Sequence, residues 1–405
     1  MRSATRRLSL VLCVFALVAG CRKKAPETEF KLDNGLRVEL APSPDGDQVA
    51  LVVVFDVGAD HDPAGRSGMA HLIERLFATM GREGKPNRTV QTRTGADFTY
   101  YGLAVPTARL DEEIDDTVLR MSTLAPTEAD LARERPRLLE QVATMQEKDP
   151  LMAATNKASE SLRPSAGGGI RGGVATEIQA MTFAEIEAFR RAHYGAATAR
   201  LVIAGRFDLA EVSKRVRSAF SAVPAGKAPQ ARPPAGSRVT GTLVMGDLPS
   251  AVALAVPVPD PKDPVYPAFV VLATRLATSV GYTWKANFAP LARPDTLLVT
   301  GTIPRDQPPE GFAEKMRADV MAIVKAPLGP DEPARAVTKY GGVLGLRPAA
   351  TPLETAFALG RRAQLGLDAK SVQHAIETVT QDQIAAAAKS FDAKSSAAVI
   401  AGGKS

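Results

Sequence analysis

The sequence predicts an α+β protein made of two similar halves, and three observations predict it. Short apolar runs of strand character alternate with longer runs of helical period from Phe30 to the C-terminus. A proline- and glycine-rich stretch interrupts this pattern near the middle of the chain. The order of elements before the stretch is echoed after it, which suggests an internal duplication into halves spanning 30–223 and 238–405. Each half is expected to be an antiparallel or mixed sheet with helices packed on one face. With 405 residues, 45% of them hydrophobic, the chain can bury a substantial core of this kind.

The first 20 residues stand apart from the fold. Arg2, Arg6 and Arg7 precede an apolar run from Leu8 to Val18, too short for a permanent membrane span, which reads as a secretory signal. Its end, Val18-Ala19-Gly20-Cys21, looks like the lipobox of bacterial lipoproteins, in which Cys21 is acylated and becomes the mature N-terminus. A plain signal peptide cut near Gly20 is the alternative. The only other cysteine, Cys13, lies inside the leader, so the mature chain has no pair for an internal disulfide. Acyl chains on Cys21 would attach the protein to a membrane at about 0.8 kcal/mol per buried methylene, and the expected location is the bacterial cell envelope. Three of the +6 formal charges belong to the leader, which has no acid, so the remainder carries only +3. No basic stripe interleaved with aromatics accompanies that charge, and nucleic acid is excluded as a partner.

Residues 21–29 form a polar tether. Phe30 to Leu40 alternates around Asn34-Gly35, as a hairpin does, and Val49 to Val57 is a valine-rich run suited to a buried strand. Helical period follows from Gly68 to Met80, from Arg109 to Ser122 and from Glu128 to Met145. Phe183 to Tyr194 reads as an amphipathic helix, Ala199 to Ala204 as a buried strand and Leu209 to Phe220 as another helix. Residues 224–237 hold four prolines, two glycines and four alanines, with almost nothing to bury, which is linker composition. Strands are predicted next at Val239 to Val244 and Ala251 to Val256, a helix at Tyr266 to Ser279 and a strand at Thr296 to Thr302. Helices at Gly311 to Lys325, Leu353 to Gly366 and Gln381 to Ser390 lead to a last strand, Ala397 to Ala401.

Gly68-Met69-Ala70-His71-Leu72-Ile73-Glu74-Arg75-Leu76-Phe77 carries the chemistry, because residues 71, 74 and 75 share one face of a helix. Phe189 to Tyr194, followed by Leu201 to Phe207, and Thr94 to Tyr101 between the helices complete a pattern that resembles the pitrilysin/insulinase family of inverted-motif zinc metallopeptidases. The resemblance runs from about Phe30 to the C-terminus and implies two tandem homologous metallopeptidase-like domains. In the family, H-x-x-E-H supplies two metal-binding imidazoles and a glutamate that acts as general base. Here Arg75 stands where the second histidine belongs, and a guanidinium, always protonated, has no lone pair for a cation. A catalytic zinc needs about three protein ligands and an open water position.

The resemblance makes Glu140 the best match for the third ligand, with Arg133 where a supporting acid is common, and leaves His71 and Glu140 as vestigial ligands and Glu74 as a vestigial base. The family's Asn-Ala-x-Thr substrate strand is missing its characteristic residues before Thr94. Arg275 and Tyr282, seven apart, match a pair that contacts substrate in active members; an ordinary helix-surface arginine is the other reading of Arg275. The stretch from Ala166 to Gly173 is either a peptide-contacting loop or a plain surface loop.

The expectation is therefore a non-catalytic, membrane-anchored lipoprotein subunit that binds a peptide or unfolded polypeptide together with a homologous, zinc-bearing peptidase subunit. Arg75 would replace the zinc charge through a bidentate pair with Glu140 or Glu74. Two alternatives stand beside it. One is an active zinc metalloendopeptidase that recruits His61, although its Asp60-His61-Asp62-Pro63 turn reads as solvent-exposed; the other is an envelope scaffold. His193 and His374 have no companions at ligand spacing and receive no chemistry.

Overall fold

The structure, a computed structural model, describes residues 27–80, 90–122, 125–144, 149–162, 172–227, 237–246, 248–279, 281–291 and 296–403. The leader, Cys21, most of the glycine-rich stretch and the middle of the linker lie outside the described residues.

The first sheet contains β1 (Glu29–Lys31), β2 (Arg37–Pro42), β3 (Gln48–Phe55), β4 (Gln91–Thr94), β5 (Thr99–Pro106) and β6 (Ala199–Gly205), in the order β1-β2-β6-β3-β5-β4. The second contains β7 (Gly241–Met245), β8 (Leu248–Pro257), β9 (Trp284–Phe288), β10 (Thr296–Thr302) and β11 (Ala397–Gly403), in the order β7-β11-β8-β10-β9. Strand for strand, the second order is the first without β1. In each sheet the single parallel pair, β2 with β6 and β7 with β11, joins the first and last strands of the repeat, and the other pairings are antiparallel. The Asn34-Gly35 turn joins β1 to β2 as its sequence predicts, with Gly35 at φ +92° and the Asn34 amide donating to the Phe220 and Val223 carbonyls.

The helices repeat as well. After β3 comes α1 (Met69–Thr79), after β5 come α2 (Leu110–Ser122), α3 (Glu128–Ala143), α4 (Pro150–Leu162), α5 (Ala175–Ala180) and α6 (Phe183–His193), and α7 (Leu209–Phe220) follows β6. In the second half α8 (Tyr266–Thr278) follows β8, and α9 (Pro309–Val324), α10 (Glu332–Tyr340), α11 (Pro352–Gln364), α12 (Ala369–Glu377) and α13 (Gln381–Ala388) fill the interval between β10 and β11. Thr127 with Asp130, Thr182 with Glu185 and Thr351 with Glu354 form capping boxes that start α3, α6 and α11 where the sequence places them.

The expectation of helices on one face is corrected, because both faces of each sheet are covered. Leu51, Val53 and Phe55 of β3 point into a core closed by Leu72, Leu76, Ile114 and Val216 of the first half. Ala50, Val52 and Val54 point the other way, onto Leu353, Ala356 and Phe357 of α11, which comes from the second half. The second sheet mirrors this arrangement: Ala253, Ala255, Ala397 and Val399 receive Ala154, Ala158 and Leu162 of α4, from the first half. The physical reason is in the strands, which are apolar on both faces and so cannot leave either one to water.

The exchanged helices approach closely because the facing residues are small. A Cβ on Gly360 of α11 would lie 2.9 Å from Val54 Cγ2, and one on Gly102 of β5 would lie 2.9 Å from Leu353 Cδ1. The end of α11 is then fixed by charge. Arg361, only 1% exposed, donates to Asp97 Oδ1 at 3.0 Å and to the Leu291 carbonyl from two nitrogens, with its guanidinium 4.1 Å from the Phe98 ring centroid. Arg200 donates to the Ala363 carbonyl at 3.0 Å, and Arg362 lies 3.5 Å from Glu39. Leu291 holds φ +66°, the one non-glycine among the described residues with positive φ, and that turn presents its carbonyl to Arg361.

Gly360→Leu is expected to destabilise the protein by about 1–3 kcal/mol through overpacking, even though it removes a helix-weakening glycine. Urea unfolding measures it, and a gain in stability would show that α11 does not sit against β3.

Candidate functional site

The site begins where α1 begins. Asp62 is buried, and its two carboxylate oxygens accept the backbone N–H groups of Gly68 at 2.7 Å and Ala70 at 2.8 Å, which orients the helix start. Gly68 has φ +93°, and the backbone of Gly173 crosses so close to it that a Cβ on Gly173 would lie 2.8 Å from Gly68 Cα. That crossing brings the Gly172 carbonyl to 3.3 Å from His71 Nδ1. The described end of the glycine-rich stretch is thus part of the site wall. A ring nitrogen that donates to a main-chain carbonyl leaves the other to face outward, as in metal-binding histidines.

One turn on, Glu74 is buried and both of its oxygens are held at 2.6 Å by hydroxyls of β4, from Thr92 and Thr94. Arg75 reaches across to α3, where it donates to Gln141 Oε1 at 2.9 Å and to Glu134 Oε2 at 3.3 Å. Glu134 is 1% exposed and is further paired with Arg133 at 3.2 Å and Arg137 at 2.9 Å. The expected partner of Arg75 is therefore corrected. It is neither Glu140, which is exposed on the outer face of α3, nor Glu74, whose oxygens the threonines take. Leu131, Leu138 and Val142 mark the buried face of α3, and that face includes Glu134 and Gln141 and excludes Glu140. Reading the burial period along this helix would have found both residues, one position after Arg133 and Glu140.

The residues present do not fit zinc. Of the three positions that converge, His71 alone offers an imidazole; Arg75 brings a cation and Gln141 a neutral amide already accepting from it. Among the described residues no group of three or more His, Cys, Asp or Glu side chains could hold a metal ion. His61 does not rescue the set. Contrary to the expectation of exposure it is buried, its Nδ1 accepts from the Gly58 N–H at 3.2 Å, and its ring meets His193 edge-on at 5.8 Å between centroids. It is not part of the cleft wall.

That cleft, of about 280 Å³, is lined by His71, Glu74, Thr92, Gln141, Asn156 and Gly172 among others, and β4 runs along it. Among the described residues β4 ends its sheet, with no strand paired on its outer edge. Arg275 and Tyr282 are not among the lining residues. Arg275 is bound in a bidentate pair with Glu332 of α10, at 2.5 and 2.8 Å, and donates to the Ile323 and Ala326 carbonyls at the end of α9. It closes a helix terminus, a role that neither sequence reading anticipated. Tyr282 is 40% exposed and stacks on Trp284 at 4.7 Å.

Comparisons with known proteins bear on the fold. Residues 180–281 match the family model described as the Peptidase M16 inactive domain. The fold is similar to that of a protease from Helicobacter pylori, with a TM-score of 0.78 at 16% identity over 92% of this chain and 99% of that one. It is likewise similar to a peptidase M16 inactive domain from Pseudomonas fluorescens, with a TM-score of 0.77 at 17% identity over 93% and 98%. A chain of complex III2 from Candida albicans gives 0.74 at 14% identity over 93% and 95%. No curated protein matches the sequence.

Burial pushes the Asp62 carboxyl up to about 7, in spite of the backbone N–H groups of Ala70, Gly68 and Met69 that pull it down. The folded state then keeps a proton that the unfolded state, with a carboxyl near 3.9, has lost. Stability from protonated Asp62 is complete below about pH 4 and is lost as the pH rises through about 7. The stability difference between the native protein and Asp62→Asn should therefore shift toward the variant from about pH 4 to about pH 7 and level off above. Paired thermal melts across that range check it, and a difference independent of pH would show a carboxylate charged throughout.

Proposed function

We propose that this chain, an M16 (pitrilysin/insulinase) peptidase homologue, is a non-catalytic member that binds extended polypeptide along β4 and works beside a metal-bearing homologue. The observation that carries the reading is Arg75. Its guanidinium stands at the helix position of a metal ligand and is bonded to Gln141 and Glu134, so the charge that a metal would bring is supplied by the protein itself. Glu74, the vestigial base, has both oxygens occupied by the hydroxyls of Thr92 and Thr94.

Binding outlasts the chemistry because the open edge of β4 offers main-chain hydrogen bonds to any extended chain, whatever its side chains. A partner is proposed because a cleft that holds polypeptide without cutting it is useful to a neighbour that cuts; an M16-fold chain within complex III2 shows that the fold takes part in multisubunit assemblies. The leader and Cys21 motif support anchoring in the bacterial envelope, on the face where such a partner would be met. No helix among the described residues is long and apolar enough to cross a membrane, so the anchor proposed is the lipid.

The purified soluble body is expected to contain zinc well below one equivalent by elemental analysis, and stoichiometric tight zinc would overturn the reading. Arg75→His alone should still bind zinc weakly, since Gln141 remains neutral. The double variant Arg75→His, Gln141→Glu should bind it tighter by more than the roughly 10–100-fold attributed to a single outer hydrogen-bond partner. Equal affinity of the single and double variants would show that position 141 is not part of the lost site. Co-purification from the envelope should bring down a homologue with an intact H-x-x-E-H motif, and its absence would leave the chain acting alone.

A further inference from the structure

Asn156 lies on α4, the helix that the first half lends to the second sheet. Ala154, Ala158 and Leu162 face that sheet, and helical geometry turns Asn156 to the opposite side, where it lines the cleft together with His71, Gln141 and Gly172. Its Nδ2 is buried and has no hydrogen-bond partner. Among the described residues that line the cleft, it is the one with a buried side-chain donor left unpaired. Several other polar atoms of the wall are engaged: Gln141 Oε1 by Arg75, Glu74 by two threonines and His71 Nδ1 by the Gly172 carbonyl.

A buried donor is costly to leave unmade, and it is retained where a ligand satisfies it. A strand added to the edge of β4 would turn alternate carbonyls toward β4 and leave the others pointing outward in the plane of the sheet, free to accept from another donor of the cleft. We propose that Asn156 Nδ2 donates to one of these main-chain carbonyls, making it a ligand-contacting residue for extended polypeptide. The inference rests on the polypeptide-binding reading given above. It adds a contact supplied by a helix that belongs to the other sheet, so the cleft is complete only when α4 is exchanged.

The test uses the full soluble chain and fluorescein-labelled β-casein, an unfolded polypeptide, with binding read by anisotropy and stability by thermal melt. Asn156→Leu removes a donor that has no partner in the unliganded protein. It should raise Tm and weaken casein binding by about tenfold, the value of one hydrogen bond. Asn156→Asp, which keeps the shape, should also weaken binding near neutral pH and regain it as the carboxyl protonates and can donate. A fall in Tm for Asn156→Leu, or casein affinity unchanged in both variants, would overturn the proposal. Failure of the unsubstituted chain to bind casein would instead remove the polypeptide-binding reading and this inference with it.

Discussion

Two sheets whose strands are apolar on both faces impose the constraint on which the rest of this structure depends. A face that carries Ala50, Val52 and Val54, or Ala253 and Ala255, cannot be left to water, and the helices that follow in sequence already cover the opposite side. The solution is reciprocal, with α4 crossing to the second sheet and α11 to the first. Because alanines line one contact and alanine and glycine the other, the helices settle close to the strands. The halves are consequently not independent units joined by a linker, since each completes the core of the other.

The exchange also decides where the site lies. Arg361 at the end of α11 binds Asp97, in the turn that joins β4 to β5, and so the edge of the cleft is held by a residue 264 positions away. A buried ion pair of this kind gains little net stability against an apolar replacement, but losing one partner leaves a charge stranded, which makes the arrangement all-or-none. Asn156 arrives at the cleft by the same route, carried on the other exchanged helix. The cleft is therefore assembled from the first half and one crossing helix and braced by the other.

Within the cleft, Arg75 ties α1 to α3 by donating to both Gln141 and Glu134. The second half ties its matching helices, α8 and α10, by Arg275 and Glu332. The first half uses the same type of arginine–glutamate tie between α1 and α3.

The sequence by itself determined the α+β class of the fold, the buried strands β3, β6 and β8, the position of α1 and the presence at 75 of a side chain that cannot ligate a metal. These depend on local period, on caps and on the chemistry of a single side chain, all of which are properties of neighbouring residues. It did not determine the partner of Arg75, since choosing between Glu134 and Glu140 required knowing which face of α3 meets α1. Nor did it show that Arg275 closes the end of α9, that His61 is buried against His193, or that α4 and α11 change sides. Those are contacts between residues dozens to hundreds of positions apart, and only tertiary packing, which must cover both faces of both sheets at once, decides them.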